Sequence, residues 1–174
     1  MPLAERIHSA RETFHDFTYK RVQGSWKEWE VVIWDEAINR RKYSQISYLF
    51  NRLTFNHSGL TVARIYGQYE TRTAYHRMWK LLWDTVGKAT GRPVKFKPFS
   101  KDGEGIRAIL VDGNKEQVEA CGDDLLTRND STLSGVSTTD VHEIVKYIIK
   151  LCMVHFDRWV IVILVKLNSS SLVS

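Results

Sequence analysis

Ile109-Leu110-Val111-Asp112-Gly113-Asn114 is the stretch around which the chain is arranged. Three apolar residues in succession, two of them β-branched, read as a strand buried on both faces. The run breaks at Asp112 and Gly113, after which a helical pattern begins. A carboxylate at that point stands at the carboxyl end of a central strand, where open α/β sheets place their ligand crevices. Asp-Gly is equally an ordinary turn signal, so position alone leaves Asp112 with two readings.

Working outward, Asn114 is placed to cap a helix running to about Thr127, with Gln117 at the third position completing a capping box. Upstream, Lys101-Asp102-Gly103-Glu104-Gly105 is a loop, and Pro93 to Phe99 is a short extended piece in which Lys95 and Lys97 alternate with apolar residues. Thr71 to Thr90 carries the clearest helical period, with Ala74, Met78, Leu81, Leu82, Val86 and Ala89 on one stripe. Thr71 or Thr73 caps its start, and Gly91 and Pro93 end it. Tyr75, Trp79 and Trp83 recur every fourth residue, which fits core packing better than an exposed base-stacking platform.

Three strands precede that helix. Thr13 to Val22 is rich in aromatic and β-branched residues and reads as the first. Gly24-Ser25 turns the chain into a second at Trp29 to Ile38, and Leu60 to Tyr69 gives the third. Asp16 lies in the first strand near Lys20 and Arg21, and by itself reads as a solvated strand charge. Residues 40–59 fit no period and read as an insertion; residues 1–12 form a short helix or none. After the Ser/Thr-rich loop Arg128 to Thr138, Thr139 or Asp140 caps a helix with Ile144, Val145, Ile148 and Ile149 on its apolar face. The chain then reaches Leu151 to Arg158 in a last strand. Strands, then a helix, then another strand indicate an α/β fold with a mixed sheet covered by helices.

The chain has 174 residues, enough for one domain with a sizeable core. Lys and Arg number 25 against 20 Asp and Glu, a net charge of +5, which suits either nucleic acid or an ordinary surface. Cys121 and Cys152 make no disulfide framework and fit a reducing compartment. Met1 to Ala10 contains no apolar run of a signal peptide. The apolar run Trp159 to Val165 falls short of the roughly 20 residues of a membrane helix. Cys152-x-x-His155 supplies two zinc-ligand types where a structural site needs about four, so a buried Cys and a hydrogen-bonded His is the simpler reading.

If the first strand lies beside the fourth, Asp16 and Asp112 meet across adjacent strands. Two such carboxylates suit Mg²⁺, which takes one or two carboxylates together with substrate phosphates. In that setting the chain resembles the catalytic domain of Mutator-like (MULE-type) DDE transposases, the fungal type in particular. Asp16-x-Thr18-Tyr19-Lys20-Arg21-Val22 with Trp29-Glu30 resembles the first-aspartate strand, and Val111-Asp112-Gly113-Asn114-Lys115 with Ala120 resembles the second-aspartate block. Cys152-x-x-His155-Phe156-x-Arg158 is similar to the family's Cys-x-x-His signature. The resemblance covers residues 10–158 apart from the 40–59 insert, and leaves 159–174 as a divergent tail.

The resemblance implies an RNase H-like sheet, three antiparallel strands followed by parallel ones, incomplete at its C-terminus. It implies Mg²⁺ or Mn²⁺ at Asp16 and Asp112, transposon-end DNA as partner, a nuclear setting and the opportunity for homo-oligomers. Lys20, Arg21, Lys95 and Lys97 would contact DNA, with Cys152 and His155 as signature residues of undefined role. The family's third carboxylate, a Glu well after the signature, has no counterpart, because no Asp or Glu follows Asp157. The expectation is therefore a truncated transposase fragment, inactive on its own. Two alternatives are a non-catalytic DNA-binding module, which adds Arg40, Arg41 and Lys42 to the basic set, and an α/β protein-interaction domain.

Overall fold

The computed structural model describes residues 2–18, 24–33 and 59–151. Within them the elements run α1 (Leu3–Ser9), β1 (Glu12–Thr18), β2 (Lys27–Ile33), β3 (Leu60–Gly67), α2 (Arg72–Thr90), β4 (Ala108–Val111), α3 (Lys115–Arg128), α4 (Ser131–Ser134), α5 (Val141–Lys146) and β5 (Ile149–Leu151). A single 3₁₀ turn, Lys97–Phe99, lies between α2 and β4. The fold is α/β, with a mixed five-stranded sheet in the order β3-β2-β1-β4-β5. β1, β2 and β3 are successive antiparallel neighbours, whereas β4 runs parallel to β1 and β5 parallel to β4.

Period-2 alternation decides which side of the sheet is dry. Thr13, His15 and Phe17 of β1 lie opposite Ile33, Val31 and Trp29 of β2, and all six are buried. Ile109 and Val111 of β4 join them. This inner face packs against α2, whose buried stripe is Tyr75, Met78, Trp79, Leu82, Trp83 and Val86. The aromatic row of the helix is thus core, as its spacing predicts. Leu81, placed on that stripe by sequence, is 55% exposed, because the helix turns the wider 75/79/83 row inward instead.

His15 sits inside the aromatic layer, its ring centroid 4.4 Å from Trp79, 5.1 Å from Trp29 and 6.0 Å from Trp83. Trp29 meets Trp79 edge to face at 4.7 Å, a geometry favoured by the ring quadrupoles. The opposite, outer face carries Phe14, Asp16, Glu30, Val32 and Leu110, all half-buried or exposed. Thr61 donates to Glu30 at 2.7 Å there, and Arg64 spans Glu28 at 3.2 Å and Glu30 at 3.4 Å.

Thr71 caps α2 by accepting the Ala74 N–H, and Gly91 closes it in the left-handed region. Arg72 then ties the start of α2 to α3. Its guanidinium grips both Asp123 oxygens at 2.7 Å and Glu119 at 3.0 Å, while its backbone N–H donates to Glu116. Gly122 lies so close to α5 that a Cβ there would meet Val141 at 2.6 Å and Val145 at 2.9 Å.

Several boundaries differ from the sequence reading. The helix after Asp140 stops at Lys146, and Ile148 and Ile149 leave it for the sheet. The Ile148 carbonyl accepts the Ile109 N–H at 2.9 Å, and Ile149 pairs with Ile109. Ile148 and Ile149 continue the helical stripe of Ile144 and Val145 but can equally begin a strand, and pairing to β4 decides between the two. The loop from Arg128 contains the short helix α4, started by Asp130 and closed by Gly135 in the left-handed region. The piece from Pro93 bridges Ile106 through Phe96 before the 3₁₀ turn. The second strand begins two residues earlier than expected, at Lys27. Cys152, His155, Lys20, Arg21, the Arg40-Arg41-Lys42 cluster, the bulk of the 40–59 insert and the tail from 159 lie outside the described residues.

Candidate functional site

β1 and β4 run side by side in the same direction, with His15 opposite Val111. Asp16 and Asp112 are the next residues along these two chains, so the parallel register carries both aspartates to one neighbouring position. Alternation turns Asp16 to the outer face, where it is exposed and opposite Glu30 of β2. Asp112 is half-buried at the carboxyl rim of the sheet.

The turn after Asp112 is built around its carboxylate. Gly113 adopts φ of 90°, a conformation costly for any side chain, and swings the chain toward α3. The Asn114 N–H then donates to Asp112 Oδ1 at 3.1 Å. The Asn114 side chain accepts the Gln117 N–H at 3.2 Å as the helix cap, and donates to Glu70 Oε2 at 3.3 Å. Glu70 in turn pairs with Lys27 at the start of β2.

The capping box expected from Asn114 and Gln117 is only half made. The N–H of Asn114, which the Gln117 side chain would take in a full box, is already held by Asp112. Gln117 turns inward instead and is 2% exposed. With its amide oriented to satisfy both neighbours, its Nε2 donates to Asp112 Oδ1 at 3.1 Å and its Oε1 accepts from Trp29 Nε1 at 3.1 Å. Among the described residues no hydrogen bond reaches Asp112 Oδ2.

Comparison with protein-family models, with curated proteins and with solved structures finds no match.

The donor set limits which ions the site can hold. Among the described residues, no group of three or more His, Cys, Asp or Glu side chains is placed to enclose a metal. Two carboxylates are the kind of donor set that Mg²⁺ or Mn²⁺ takes when it keeps several waters and completes its shell with substrate oxygens. They do not fit an all-protein cage or a structural zinc site.

The basic residues read from sequence are not gathered at this rim. Lys95 and Lys97 bracket the bonds to Ile106, just before β4 begins, whereas Asp112 follows its last residue. The two features therefore lie at opposite ends of β4. Lys95 is ion-paired with Asp102, which raises its pKa and holds the Asp102 carboxyl well below the usual range. Lys97 begins the 3₁₀ turn and is exposed.

Among the buried polar residues that escaped the sequence reading are His15 and Asp124. His15 is fully enclosed, and burial lowers its pKa to about 3, so it is neutral at physiological pH. Its Nε2 lies 2.9 Å from Thr13 Oγ1, whereas Nδ1 has no partner among the described residues. The period-2 pattern of β1 does put residue 15 on the face of Thr13 and Phe17, which was the available signal. Asp124, 1% exposed, is neutralised by Arg128 at 2.7 Å, a helical i,i+4 spacing. Cys121 is buried in the apolar core, and burial pushes its thiol pKa up, away from a reactive thiolate. No helix among the described residues is long and apolar enough to cross a membrane.

Proposed function

We propose that the chain is the catalytic-core portion of a Mutator-like DDE-type DNA transposase, acting in the nucleus on transposon-end DNA. The observation that supports this reading is the parallel register of β1 and β4, whose last pair sets His15 opposite Val111, the residues just before Asp16 and Asp112. The strand order, with three antiparallel strands and then two parallel ones, supports an RNase H-like sheet as the frame. Asp16 and Asp112 are the side chains that would hold Mg²⁺ or Mn²⁺. When bound, such an ion lowers the pKa of a water and stabilises charge on phosphate oxygens. The residues of the chain would fix the ion, with Gly113 and Asn114 setting the turn that presents Asp112.

On this reading Asp16 and Asp112 would be two of the three carboxylates of this chemistry, and residues 158–174 hold no Asp or Glu to serve as the third. A cation held by fewer fixed ligands is bound more weakly and positioned less well. The reading therefore includes inactivity of this chain by itself. Incubation of the purified chain with supercoiled plasmid and Mg²⁺ or Mn²⁺ is expected to give no nicking. Mn²⁺ is expected to broaden the amide NMR signals around Asp16 and Asp112 selectively. Nicking that Asp112→Asn abolishes would overturn the inactive half of the reading. Absence of any selective broadening would remove the metal site and with it the transposase reading.

A simple basic DNA-binding module is the weaker alternative. Lys95 already serves Asp102, and Lys95 and Lys97 lie away from the rim that carries Asp112. It predicts binding to duplex DNA that falls steeply with salt and needs no divalent ion.

A further inference from the structure

We infer that Gln117 is a positioning residue for Asp112, a role that rests on the metal-holding reading of the Asp16–Asp112 pair. Gln117 is buried at 2% exposure, yet it is a primary amide with two donors and an acceptor, expensive to enclose unless each end is satisfied. With the amide oriented to satisfy both neighbours, each end has one partner, Trp29 Nε1 donating to its oxygen and its nitrogen donating to Asp112 Oδ1, both at 3.1 Å. Trp29 is itself fully buried, packed against His15 and Trp79. Gln117 therefore transmits the rigidity of the core to a carboxylate at the rim.

Both donors on Asp112, the Asn114 N–H and the Gln117 amide, fall on Oδ1. That arrangement restrains the carboxylate through one oxygen and leaves Oδ2 without a hydrogen bond among the described residues. Partners that orient a metal ligand commonly account for about 10- to 100-fold in metal affinity. A further brace holds the carrier helix: Asn114 joins Glu70, and Arg72 fastens the first two turns of α3 to α2. A helix-capping role for the Gln117 side chain is excluded by geometry, since Asp112 occupies the N–H it would have taken.

The test compares the full chain with Gln117→Met, which keeps length and volume but removes the donor and the acceptor. Mn²⁺ affinity is read from titrated broadening of the Asp16, Asp112 and Gly113 amide signals, and folding from the cooperativity of the thermal melt. A dissociation constant raised about tenfold or more, in a variant that still melts cooperatively, supports positioning. An unchanged constant in such a variant overturns it. A second measurement needs no metal and no Gln117 variant. In Asp112→Ala, the Gln117 side-chain amide protons are expected to shift and exchange faster, while the Trp29 indole N–H keeps its protection. Amide protons indifferent to Asp112→Ala would sink the inference even if Mn²⁺ binds. Absence of Mn²⁺ binding with responsive amide protons would instead sink the metal reading and leave the link between Gln117 and Asp112 standing.

Discussion

The imidazole of His15 lies 4.4 Å from the indole of Trp79, centroid to centroid, at an interplanar angle of 51°, in a layer that also includes Trp29 and Trp83. Among the described residues no charged side chain takes part in that layer, and burial lowers the His15 pKa from 6.5 to about 3. A folded-state pKa below the unfolded value means that the unfolded chain binds the proton first. Stability is then whole above pH 6.5 and declines as pH falls from 6.5 toward 3, by up to about 1.4 kcal/mol per pH unit. For a chain of this size the melting temperature should drop by up to about 3–6 °C per unit. His8, lowered by partial burial and then by Arg92, adds a smaller slope of the same sign. Melts at pH 7, 6 and 5 should show the slope in the unsubstituted chain and a flatter one in His15→Phe. Equal slopes in the two would mean that His15 is not enclosed.

Gly103 and Gly105 lie in the same loop with positive φ, 66° and 106°, but in different surroundings. A Cβ at 103 meets nothing within 4 Å, whereas one at 105 would stand 2.2 Å from the Lys95 carbonyl oxygen. Gly105 is small because the chain before β4 runs against residue 95, with Ile106 N–H donating to that same carbonyl at 2.9 Å. Gly103→Ala should cost only the backbone strain, about 1 kcal/mol. Gly105→Ala adds a clash with backbone and should cost at least about 2 kcal/mol more. Urea denaturation of the pair of variants measures the difference directly.

The contrast between those two glycines explains what sequence can and cannot disclose. Local pattern was enough where a residue's role depends on its own element. The period of α2 marked Tyr75, Trp79 and Trp83 as core, Thr71 and Gly91 bounded the helix, and the apolar run before Asp112 marked β4. It was not enough where the role depends on a partner far along the chain. Asn114 and Gln117 match a capping box, and only the position of Asp112 and of Trp29, distant in sequence, redirects the Gln117 side chain. Ile148 and Ile149 fit a helix until the edge of β4 offers them a ladder. Of the candidate site, both aspartate positions were readable as strand and strand-end residues, but the brace through Gln117, Asn114 and Glu70 was not, since each bond spans elements that no spacing rule connects.

Asn114 serves α3 twice, once as a cap and once as a tether to Glu70. Asn114→Ala should cost about 1–2 kcal/mol, the upper part of the range for a lost cap. Asn114→Ser restores an acceptor for the Gln117 N–H but cannot donate to Glu70 through an amide. It should recover most of the stability while the Glu70–Lys27 pair loses its fixed neighbour. Chemical denaturation of the three forms separates cap from tether. A serine variant as damaged as the alanine variant would place the main energy in the tether.

The buried carboxylate of Asp124 makes the strongest stability prediction, because among the described residues its cationic partner is the single side chain of Arg128. Arg128 Nε donates to Oδ2 at 2.7 Å and Nη2 to Oδ1 at 3.1 Å, a two-pronged grip, and the same Nη2 reaches Asp84 at 2.8 Å. Asp84 is the rim member, held at about 2 by Lys80 and then by Arg128; being exposed to solvent, it has an alternative in water. Asp124 has none at 1% exposure. Arg128→Met should therefore strand a carboxylate inside the protein and cost about 3–5 kcal/mol. Asp124→Leu together with Arg128→Met removes the charge and its partner at once, and should return most of that loss, since an apolar pair of similar volume often equals a buried ion pair. A double variant no more stable than Arg128→Met would mean that the damage comes from lost packing of the arginine stem and not from the orphaned charge. The coupling energy of the full cycle, measured by urea denaturation, decides between them, and a value under about 0.5 kcal/mol excludes the buried pair as a source of stability.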